Sequence, residues 1–527
     1  MNFLVGVVAV GFVWAGLTAS LQAAAMTEMD LADTMEQSYN QGQVLRSEFT
    51  PVVEIYRRVA QAGDTTAMCR LAVCYYEGKG VPVDVKEAIK WFGIAADKQN
   101  RPARDRQFDL LVQQLQYARA KSEDFAPLRE PLESLSKSGD VEATTRLGIM
   151  TAKGLGGITA DAPGSVALYQ LAAEKNSPLA MYRLGCCLTD GISGIEKNES
   201  SGLEWIQKSA DAGCSQAIGW MGDAYLKGKL VKKDPAKGLE LTRHAAIMDN
   251  ATALLRLGTY YDDGEDGSDP DYLRAFKCFS RAAELGSPKS LVKLGLMHKS
   301  GTGTPRDPIL AMQIFLSLAI TGNADAQYES GRCFSNGWGV NRDSVEAVQW
   351  YSKAAAKKHP MALGMMGYMH QQGLGGLKVD LTKAVEFYQQ AADKGDPLGT
   401  CRLGFCYLNG TGLGKDPAKA FELMTQAAEK NLPLAMNELG SMYLMGIGCT
   451  QDEAQAKKYI EAAADKGEKT AMYQMARNCE TGGMGLPKDP EKALDWYRKA
   501  ADAKQKDAIK RLAELEKADD ATSQPSS

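Results

Sequence analysis

The chain has 527 residues, of which 44% are hydrophobic and 24% are charged, with a formal net charge of −4. This balance excludes the strongly basic surface of a typical nucleic-acid-binding protein, and the hydrophobic fraction is ordinary for a soluble protein. Glycine is frequent, with 52 residues, whereas proline is not, with 19. Regularly placed glycines therefore favour a search for internal repeats.

Residues 1–25 differ from the rest of the chain. An apolar run extends from Phe3 to Leu17 and is followed by small residues up to Ala25, which is the order of a secretory signal and its cleavage site. The segment has no Lys or Arg, and the first charged side chain is Glu28, so an uncleaved anchor is also long enough to cross a bilayer. Both interpretations predict that the rest of the chain is exported, either to a bacterial-type periplasm or outside the cell.

One pattern recurs every 36 or 37 residues from residue 67 onward. Its mark is a Leu-Gly pair or a close variant, with another glycine six residues later. The second residue of the pair stands at Ala72, Gly148, Gly185, Gly222, Gly258, Gly295, Gly331, Gly367, Gly404, Gly440 and Ala476. A period of this length indicates a repeat solenoid, in which each unit buries its apolar face against the next.

The residues of one copy predict a pair of helices. Ala326, Gly331 and Phe334 have the spacing of one helical face. Gly337 is placed to end that helix, because glycine readily takes the left-handed conformation of a C-cap. Asp343 is placed to cap a second helix, whose buried face we expect to contain Ala347, Trp350, Tyr351, Ala354 and Ala355.

The pattern resembles the Sel-1-like repeat family, whose members are related to tetratricopeptide repeats. The matching elements are A-x4-G, the G-x-G turn (as in Gly410-Thr-Gly412), the Asp that precedes the second helix, and an aromatic pair followed by Ala-Ala. They recur over residues 64–517. The resemblance implies an all-α fold, a right-handed α/α superhelical solenoid of paired antiparallel helices.

The chain is predicted to divide as follows. After the signal or anchor of residues 1–25 come a degenerate N-terminal capping repeat (26–63), the first clear repeat (64–100), a degenerate helical repeat without the glycine turn (101–139), ten Sel-1-like repeats (140–505), a C-terminal capping helix (506–517) and a disordered tail (518–527). Residues 101–139 are interpreted either as an irregular repeat or as a break in curvature.

Two kinds of site were considered for chemistry. Ser134 to Lys137 matches S-x-x-K and Lys137 to Gly139 resembles K-[ST]-G, boxes that relate some secreted members of the family to β-lactamase-like hydrolases. The matches overlap, whereas the mechanism needs them on separate elements that converge on one pocket. The four histidines include no HExxH motif: His244, His298, His359 and His370. We expect no catalytic activity, no metal and no cofactor.

The chain has eleven cysteines, an odd number for a protein expected to reach an oxidising compartment. The cysteine-rich secreted branch of the family joins the two helices of each repeat by a disulfide. Here one column of the first helix carries cysteines without a recurring partner column: Cys74, Cys187, Cys333 and Cys406. We expect small buried apolar residues and no regular disulfide stapling.

The partner-binding surface is predicted from the resemblance, which implies that part of the first helix lines the concave face. Positions −3, +1 and +4, counted from the Leu-Gly glycine, lie together on a helix, and Tyr, Phe and Arg, which are enriched at interaction hot spots, recur there. The predicted contact residues are Tyr182, Leu255, Leu296, Tyr328, Arg332, Tyr368, Phe405, Leu408, Tyr473 and Arg477. The alternative is that several of them pack against a neighbouring helix.

Position −2 of the first helix is often basic. The residues are Arg70, Arg146, Arg183, Arg256, Lys293 and Arg402. This column is interpreted either as a ladder for an acidic partner or, more commonly in proteins, as a solvated face paired with nearby Asp and Glu.

The function predicted from these observations is an exported scaffold that binds a partner protein along the concave surface. We expect a monomer that does not bind nucleic acid and that contacts the membrane only if the N-terminal segment is uncleaved. Three alternatives remain: an envelope glycan-binding or peptidoglycan assembly factor, a spacer on an N-terminal anchor, and a β-lactamase-like hydrolase.

Overall fold

The computed structural model describes residues 28–40, 49–82, 84–115, 120–191, 195–264 and 269–523. Within these ranges the chain forms 27 α-helices and no β-strand, which confirms the all-α class and the paired-helix architecture. Two compact units are present, Met1–Ser290 and Leu291–Ser527. The predicted signal or anchor, residues 1–25, lies outside the described residues. No helix in the described part of the chain is long and apolar enough to cross a membrane.

The first unit contains the helices α1 Glu28–Asn40, α2 Thr50–Gln61, α3 Thr65–Glu77, α4 Val85–Asp97, α5 Arg101–Leu115, α6 Ala126–Lys137, α7 Val141–Lys153, α8 Ala162–Glu174, α9 Pro178–Asp190, α10 Glu199–Asp211, α11 Ser215–Lys227, α12 Pro235–Ile247, α13 Ala251–Asp263 and α14 Tyr272–Glu284. Helix α15, Pro288–Ser300, crosses the boundary between the units. The second unit continues with α16 Pro308–Ile320, α17 Ala324–Asn336, α18 Ser344–Ala356, α19 Pro360–Gln372, α20 Leu381–Asp393, α21 Pro397–Asn409, α22 Pro417–Glu429, α23 Pro433–Met445, α24 Glu453–Asp465, α25 Lys469–Thr481, α26 Pro490–Asp502 and α27 Lys506–Ser523.

Local capping explains why the helices begin and end where they do. The carboxylate of Asp343 accepts hydrogen bonds from the backbone N–H groups of Val345 (2.8 Å) and Glu346 (3.1 Å), so it caps α18 as the sequence predicts. Gly337 ends α17 in the left-handed conformation, with φ of 75°. Odd-numbered helices from α7 to α25 are therefore the first helices of their repeats, and the even-numbered helices that follow are the second.

The second glycine of the G-x-G turn has a role between repeats. Gly339 also has a positive φ, 72°, and a Cβ at this position would overlap the carbonyl oxygen of Pro308, at the start of the preceding second helix. Only glycine allows the turn of one repeat to approach the preceding repeat so closely. The turn is thus a packing contact as well as a reversal of the chain.

The core of each repeat lies between its two helices. In the repeat of α17 and α18, the aromatic ring of Tyr351 is fully buried, and a Cβ placed on Gly331 would lie 2.6 Å from it. The Leu-Gly glycine therefore exists to make room for the ring of the second helix. Because a single repeat buries little apolar surface, stacking against the next repeat completes the core.

Lysine side chains link successive second helices. The ammonium of Lys430, just after α22, donates a hydrogen bond of 2.9 Å to the carbonyl of Gly395, in the turn that follows α20. Lys98 and the carbonyl of Gly63 form the same contact at 3.0 Å. A cation at this place also interacts favourably with the C-terminal end of the preceding helix dipole.

The stretch predicted as a degenerate repeat, residues 101–139, contains α5 and α6. These two helices share a buried core with α7 and α8, and Phe108 contacts Phe125 edge-to-face with 5.8 Å between ring centroids. At the other end of the chain, α27 continues to Ser523, whereas the sequence analysis placed the end of the helix at residue 517. Good helix formers and the absence of Gly and Pro before Pro525 account for the extension.

All eleven cysteines lie in described ranges and carry free thiols. Seven of them are buried, and the other four are partly exposed. Burial raises the pKa of Cys333 to about 11, which keeps that thiol protonated and unreactive at neutral pH.

Candidate protein-binding surface

The first helices of neighbouring repeats touch one another. Helix α9 contacts α11 in the first unit, and α19 contacts α21 in the second. In each of these pairs the first helices lie side by side, so that positions −3, +1 and +4 of one repeat face the same positions in the next.

A groove with a volume of about 400 Å³ opens on this surface in the first unit. Tyr182 of α9 and Leu255 of α13, both predicted contact residues, line it together with Trp220 of α11. The three side chains are half-buried. At position −3 of α11 stands Gly219, where the flanking repeats carry Tyr182 and Leu255. The groove thus lies where glycine stands between two repeats that carry a large side chain at this position.

Charged groups surround the groove. Asp223 of α11 pairs with Lys227, at 2.6 Å, and with Arg256 of α13. Burial raises the pKa of Asp223, but the hydrogen bonds from Lys227 and Arg256 outweigh it, and the net shift is downward. Lys289, at the start of α15, lines the groove as a third cation. The groove is therefore lined by three cations and one carboxylate.

A second charged cluster lies on the first helices of the second unit. The buried carboxylate of Glu329 pairs with Lys299 at 2.9 Å and with Arg332 at 3.0 Å. Both cations lie over the indole ring of Trp338, with 4.8 and 5.2 Å to its centroid. Burial lowers the pKa of Arg332, but the charges of Glu329 and Tyr328 and the hydrogen bond to Glu329 raise it by more, so that the net shift is upward. The predicted contact residue Arg332 is thus held in an ion pair within the protein.

Tyr328 lies in the core of its repeat, since only 8% of it is exposed. Its ring stacks on His359, with 4.9 Å between centroids, and lies 5.9 Å from Tyr351. Burial raises its pKa to about 12. Tyr328 therefore packs against neighbouring helices, which is the alternative to partner contact for the residues at positions −3, +1 and +4.

The remaining predicted contacts are distributed along the second unit. Tyr368 lies under the guanidinium of Arg402, 4.7 Å from its ring centroid, and Tyr473 lies 5.9 Å from Tyr497 of its own repeat. Partly buried positions are taken by Leu296, Phe405 and Leu408, whereas Arg477 is exposed. The structure therefore brings Tyr182 and Leu255 into one groove, and Tyr328 and Arg332 into one cluster.

The basic column at position −2 is largely paired inside the protein. Arg256 pairs with Asp223, which stands at position +1 of the preceding repeat, and Arg402 lies over Tyr368, also at position +1 of the preceding repeat. Arg146 pairs with Asp105 at 3.2 Å. These contacts favour the solvated, paired face over a free ladder for an acidic partner.

The residues considered for catalysis do not converge. Ser134 and Lys137 lie in the last turns of α6, and the hydroxyl of Ser136 is 2.9 Å from that of Thr144. His370 stacks on Phe387, with 5.5 Å between centroids, and burial lowers its pKa. Among the described residues, no group of three or more His, Cys, Asp or Glu side chains has the geometry of a metal site.

Trp220, Asp223 and Gly219 were missed by the sequence analysis, which searched the columns for large side chains. The signal that identifies them is the opposite one: a glycine at position −3 between two repeats that carry Tyr182 and Leu255 at that position. The glycine alone is not sufficient, because Gly364 stands at the same position after Tyr328, where an added Cβ would lie 3.0 Å from the carboxylate of Asp396.

Comparison with protein families identifies the repeat. The Sel1 repeat model matches residues 65–100, 141–177, 178–214, 215–250, 251–287, 288–319, 324–359, 360–396, 397–432, 433–468 and 469–504. The chain belongs to the Sel1 repeat family. This confirms the resemblance on which the fold was predicted, and it makes the chain a repeat solenoid of a class that binds proteins.

Curated relatives match only part of this Sel1 repeat protein. Chitin synthase regulatory factor 3 of Schizosaccharomyces pombe is 29% identical over 43% of this chain and 25% of the relative. Chitin synthase regulator SKT5 of Saccharomyces cerevisiae is 27% identical over 44% of this chain and 35% of the relative. The chain therefore spans about a quarter to a third of the length of these regulators. An uncharacterized protein of Neisseria meningitidis is 25% identical over 64% of this chain and 68% of its own.

Solved structures of Sel1 repeat proteins are also similar. A protective antigen of uropathogenic Escherichia coli with an SLR fold is 24% identical, with a TM-score of 0.45, and the match covers 88% of this chain and 90% of the antigen. A Sel1 repeat protein from Oxalobacter formigenes is 28% identical, with a TM-score of 0.40, over 47% of this chain and 96% of that protein.

Proposed function

We propose that this Sel1 repeat protein is an exported scaffold that binds partner proteins along the surface of its first helices. The observation that carries the proposal is the groove between α9, α11 and α13, because it is a concave site on a surface otherwise formed by packed helices. Half-buried aromatic residues next to unfilled space are the usual anchors of a protein interface.

The curated relatives support a binding role. Two of them are named as regulators of chitin synthase and not as the synthase itself. The described residues offer no convergent nucleophile and base at the S-x-x-K match, as Ser134 and Lys137 lie on the end of a single helix. We therefore place the function in binding and not in chemistry.

Affinity capture with matched variants tests the proposal. The first-helix variant carries Gln216→Glu and Thr252→Glu, two exposed positions that line the groove on the consecutive first helices α11 and α13. The control carries Ile309→Glu and Val345→Glu, which are 61% and 50% exposed at the starts of consecutive second helices. All four positions are exposed, so both variants are expected to fold.

We expect the unmodified chain and the control to retain the same partner from an envelope extract, and the first-helix variant to lose it or retain less. Loss in the control alone would place the interface on the second helices. If the unmodified chain retains no protein, the glycan-binding and spacer alternatives take precedence.

Export is proposed on the apolar run from Phe3 to Leu17 and the small residues that follow it. Mass spectrometry of the protein from its native host tests this. A mature N-terminus near Met26 is the expected result. An intact N-terminus in a membrane fraction would favour the anchored spacer, and an intact N-terminus in the cytoplasm would refute export.

A further inference from the structure

We propose that the groove around Gly219 binds an extended acidic segment of a partner protein and receives one of its apolar side chains. This inference rests on the proposed function and adds the chemistry of the partner. It depends on three observations of the first unit: the lack of a side chain at Gly219, the excess of positive charge in the groove lining, and the half-buried aromatic residues Tyr182 and Trp220 in its walls.

The missing side chain defines a pocket for an apolar anchor. Position −3 carries Tyr182 in the preceding repeat and Leu255 in the following one, and both line the groove that Gly219 leaves open. The backbone of Gly219 is helical, and a Cβ there would make only ordinary contacts, 3.6 Å from Ala245 and from the amide of Asn250. The space is thus a side-chain-sized recess and not a backbone requirement for glycine.

The charge of the lining selects an acidic ligand. Asp223 is the single carboxylate of the lining, and it already accepts contacts from Lys227 and Arg256. Lys289 adds a further positive charge, so the groove has two more cations than anions. An excess of this kind attracts an acidic segment and raises its association rate.

The walls favour a peptide over a sugar chain. Trp220 and Tyr182 are half-buried, and the guanidinium of Arg183 lies over the ring of Tyr182, 5.9 Å from its centroid, so that face of the ring is covered and is not open for a sugar to stack on. Burial raises the pKa of Tyr182, and contacts with Cys186 add to this, so its phenol group is largely removed from water. Residues of four first helices, α9, α11, α13 and α15, line the groove, a span that fits an extended peptide.

Fluorescence anisotropy with the full chain tests the proposal. The probe is a labelled synthetic 12-residue peptide with one central Leu and four Glu, compared with peptides in which the four Glu are replaced by Ser or by Lys. We expect the Glu peptide to bind about tenfold more tightly than the Ser peptide, and to weaken as ionic strength rises from about 0.05 to about 0.3 M.

Two substitutions and their controls locate the binding. Gly219→Leu fills the recess with a residue type that Leu255 already carries at this position, and we expect about tenfold weaker binding. Lys289→Ala removes a cation and is expected to weaken binding about fivefold. Controls are Gly414→Leu, where a Cβ meets nothing within 4 Å, and Lys232→Ala, an exposed lysine outside the groove lining; both should bind as the unmodified chain does.

The outcomes separate this inference from the proposed function. Equal binding of the Ser or Lys peptide, or unchanged binding by Gly219→Leu, would overturn the acidic-peptide proposal. Tighter binding of an anionic oligosaccharide, oligogalacturonate, than of any peptide would overturn it in favour of a glycan. If Gly219→Leu still retains the captured partner, the scaffold function stands and the partner binds elsewhere on the first helices.

Discussion

Replacement of a Leu-Gly glycine by alanine is predicted to raise or lower the free energy of unfolding according to which side chain of the second helix lies against the glycine. At Gly331, an added methyl group would lie 2.6 Å from two ring atoms of Tyr351, which is fully buried and has no room to move. Overpacking of this kind costs about 1–3 kcal/mol, and alanine returns about 1 kcal/mol through its better helix propensity. Because two ring atoms are met at 2.6 Å, the overpacking cost lies in the upper part of this range, about 2–3 kcal/mol. After the gain in helix propensity, we expect Gly331→Ala to lower the free energy of unfolding by about 1–2 kcal/mol.

Gly404 provides the matched control. There the nearest atom to an added methyl group is the terminal carbon of Met424, at 3.1 Å, and an unbranched methionine adapts to a small intrusion. Gly404→Ala should therefore be neutral or stabilising by about 0.5–1 kcal/mol. Alanine already stands at the equivalent position in two repeats, Ala72 and Ala476, where it shares a core with Phe92 and Tyr497. The predicted penalty therefore depends on how closely the ring of Tyr351 approaches Gly331 and not on the presence of an aromatic residue in general.

Urea unfolding followed by circular dichroism measures both variants, and hydrogen exchange of α17 and α18 shows whether the change is local. Long repeat arrays do not always unfold in one step, so the exchange of individual helices is the more direct measurement. Equal stability of Gly331→Ala and the unmodified chain, or destabilisation by Gly404→Ala of the same size, would refute the packing argument.

Three further predictions concern single groups. Burial raises the pKa of Glu438, and the charge of Glu468 adds to this. The stability of the protein should therefore fall as the pH rises from the pKa of this carboxyl in the unfolded chain through its pKa in the folded chain. Glu438→Gln should melt at a higher temperature than the unmodified chain at pH 7 but not at pH 4. An equal difference at both pH values would contradict this. Lys430→Met removes the hydrogen bond to Gly395 and should lower the free energy of unfolding by about 0.5–1 kcal/mol; an unchanged urea midpoint would show that the link contributes nothing. Alkylation and mass spectrometry should find eleven free thiols after unfolding without reductant, with the seven buried ones protected beforehand; fewer free thiols would reveal a disulfide.

Most of the fold was predictable because its determinants are local and repeated. The cap at Asp343 and the left-handed turn at Gly337 follow from residue chemistry alone. The contact of Gly339 with Pro308 was not predictable in this way, because the two residues belong to different repeats and the spacing of residues within one repeat carries no information about it. Similarly, the pattern predicted that Tyr328 has helical neighbours but not that His359 covers its ring.

The binding surface was harder to predict, and the reason is physical. Columns of large residues indicate either contact with a partner or burial against a helix, and the sequence does not distinguish these two uses. Tyr328 and Tyr182 stand at the same position, yet one lies in a core and the other lines a groove. The next repeat has glycine at this position in both cases, Gly219 after Tyr182 and Gly364 after Tyr328. What differs is the N-cap of the next first helix: His359 stacks on the ring of Tyr328, whereas the equivalent residue after Tyr182 is Cys214.

The pairing between position −2 of one repeat and position +1 of the preceding one has a consequence for how such a chain evolves. Arg256 meets Asp223, and Arg402 meets Tyr368, across a repeat boundary. Precise excision of residues 215–250 would remove α11 and α12 and leave every other helix intact, but it would place Arg256 beside Cys186, which offers no carboxylate. Neighbouring copies are thus matched to each other, and duplication, loss or shuffling of whole units is selected for compatible junctions as well as for the number of repeats.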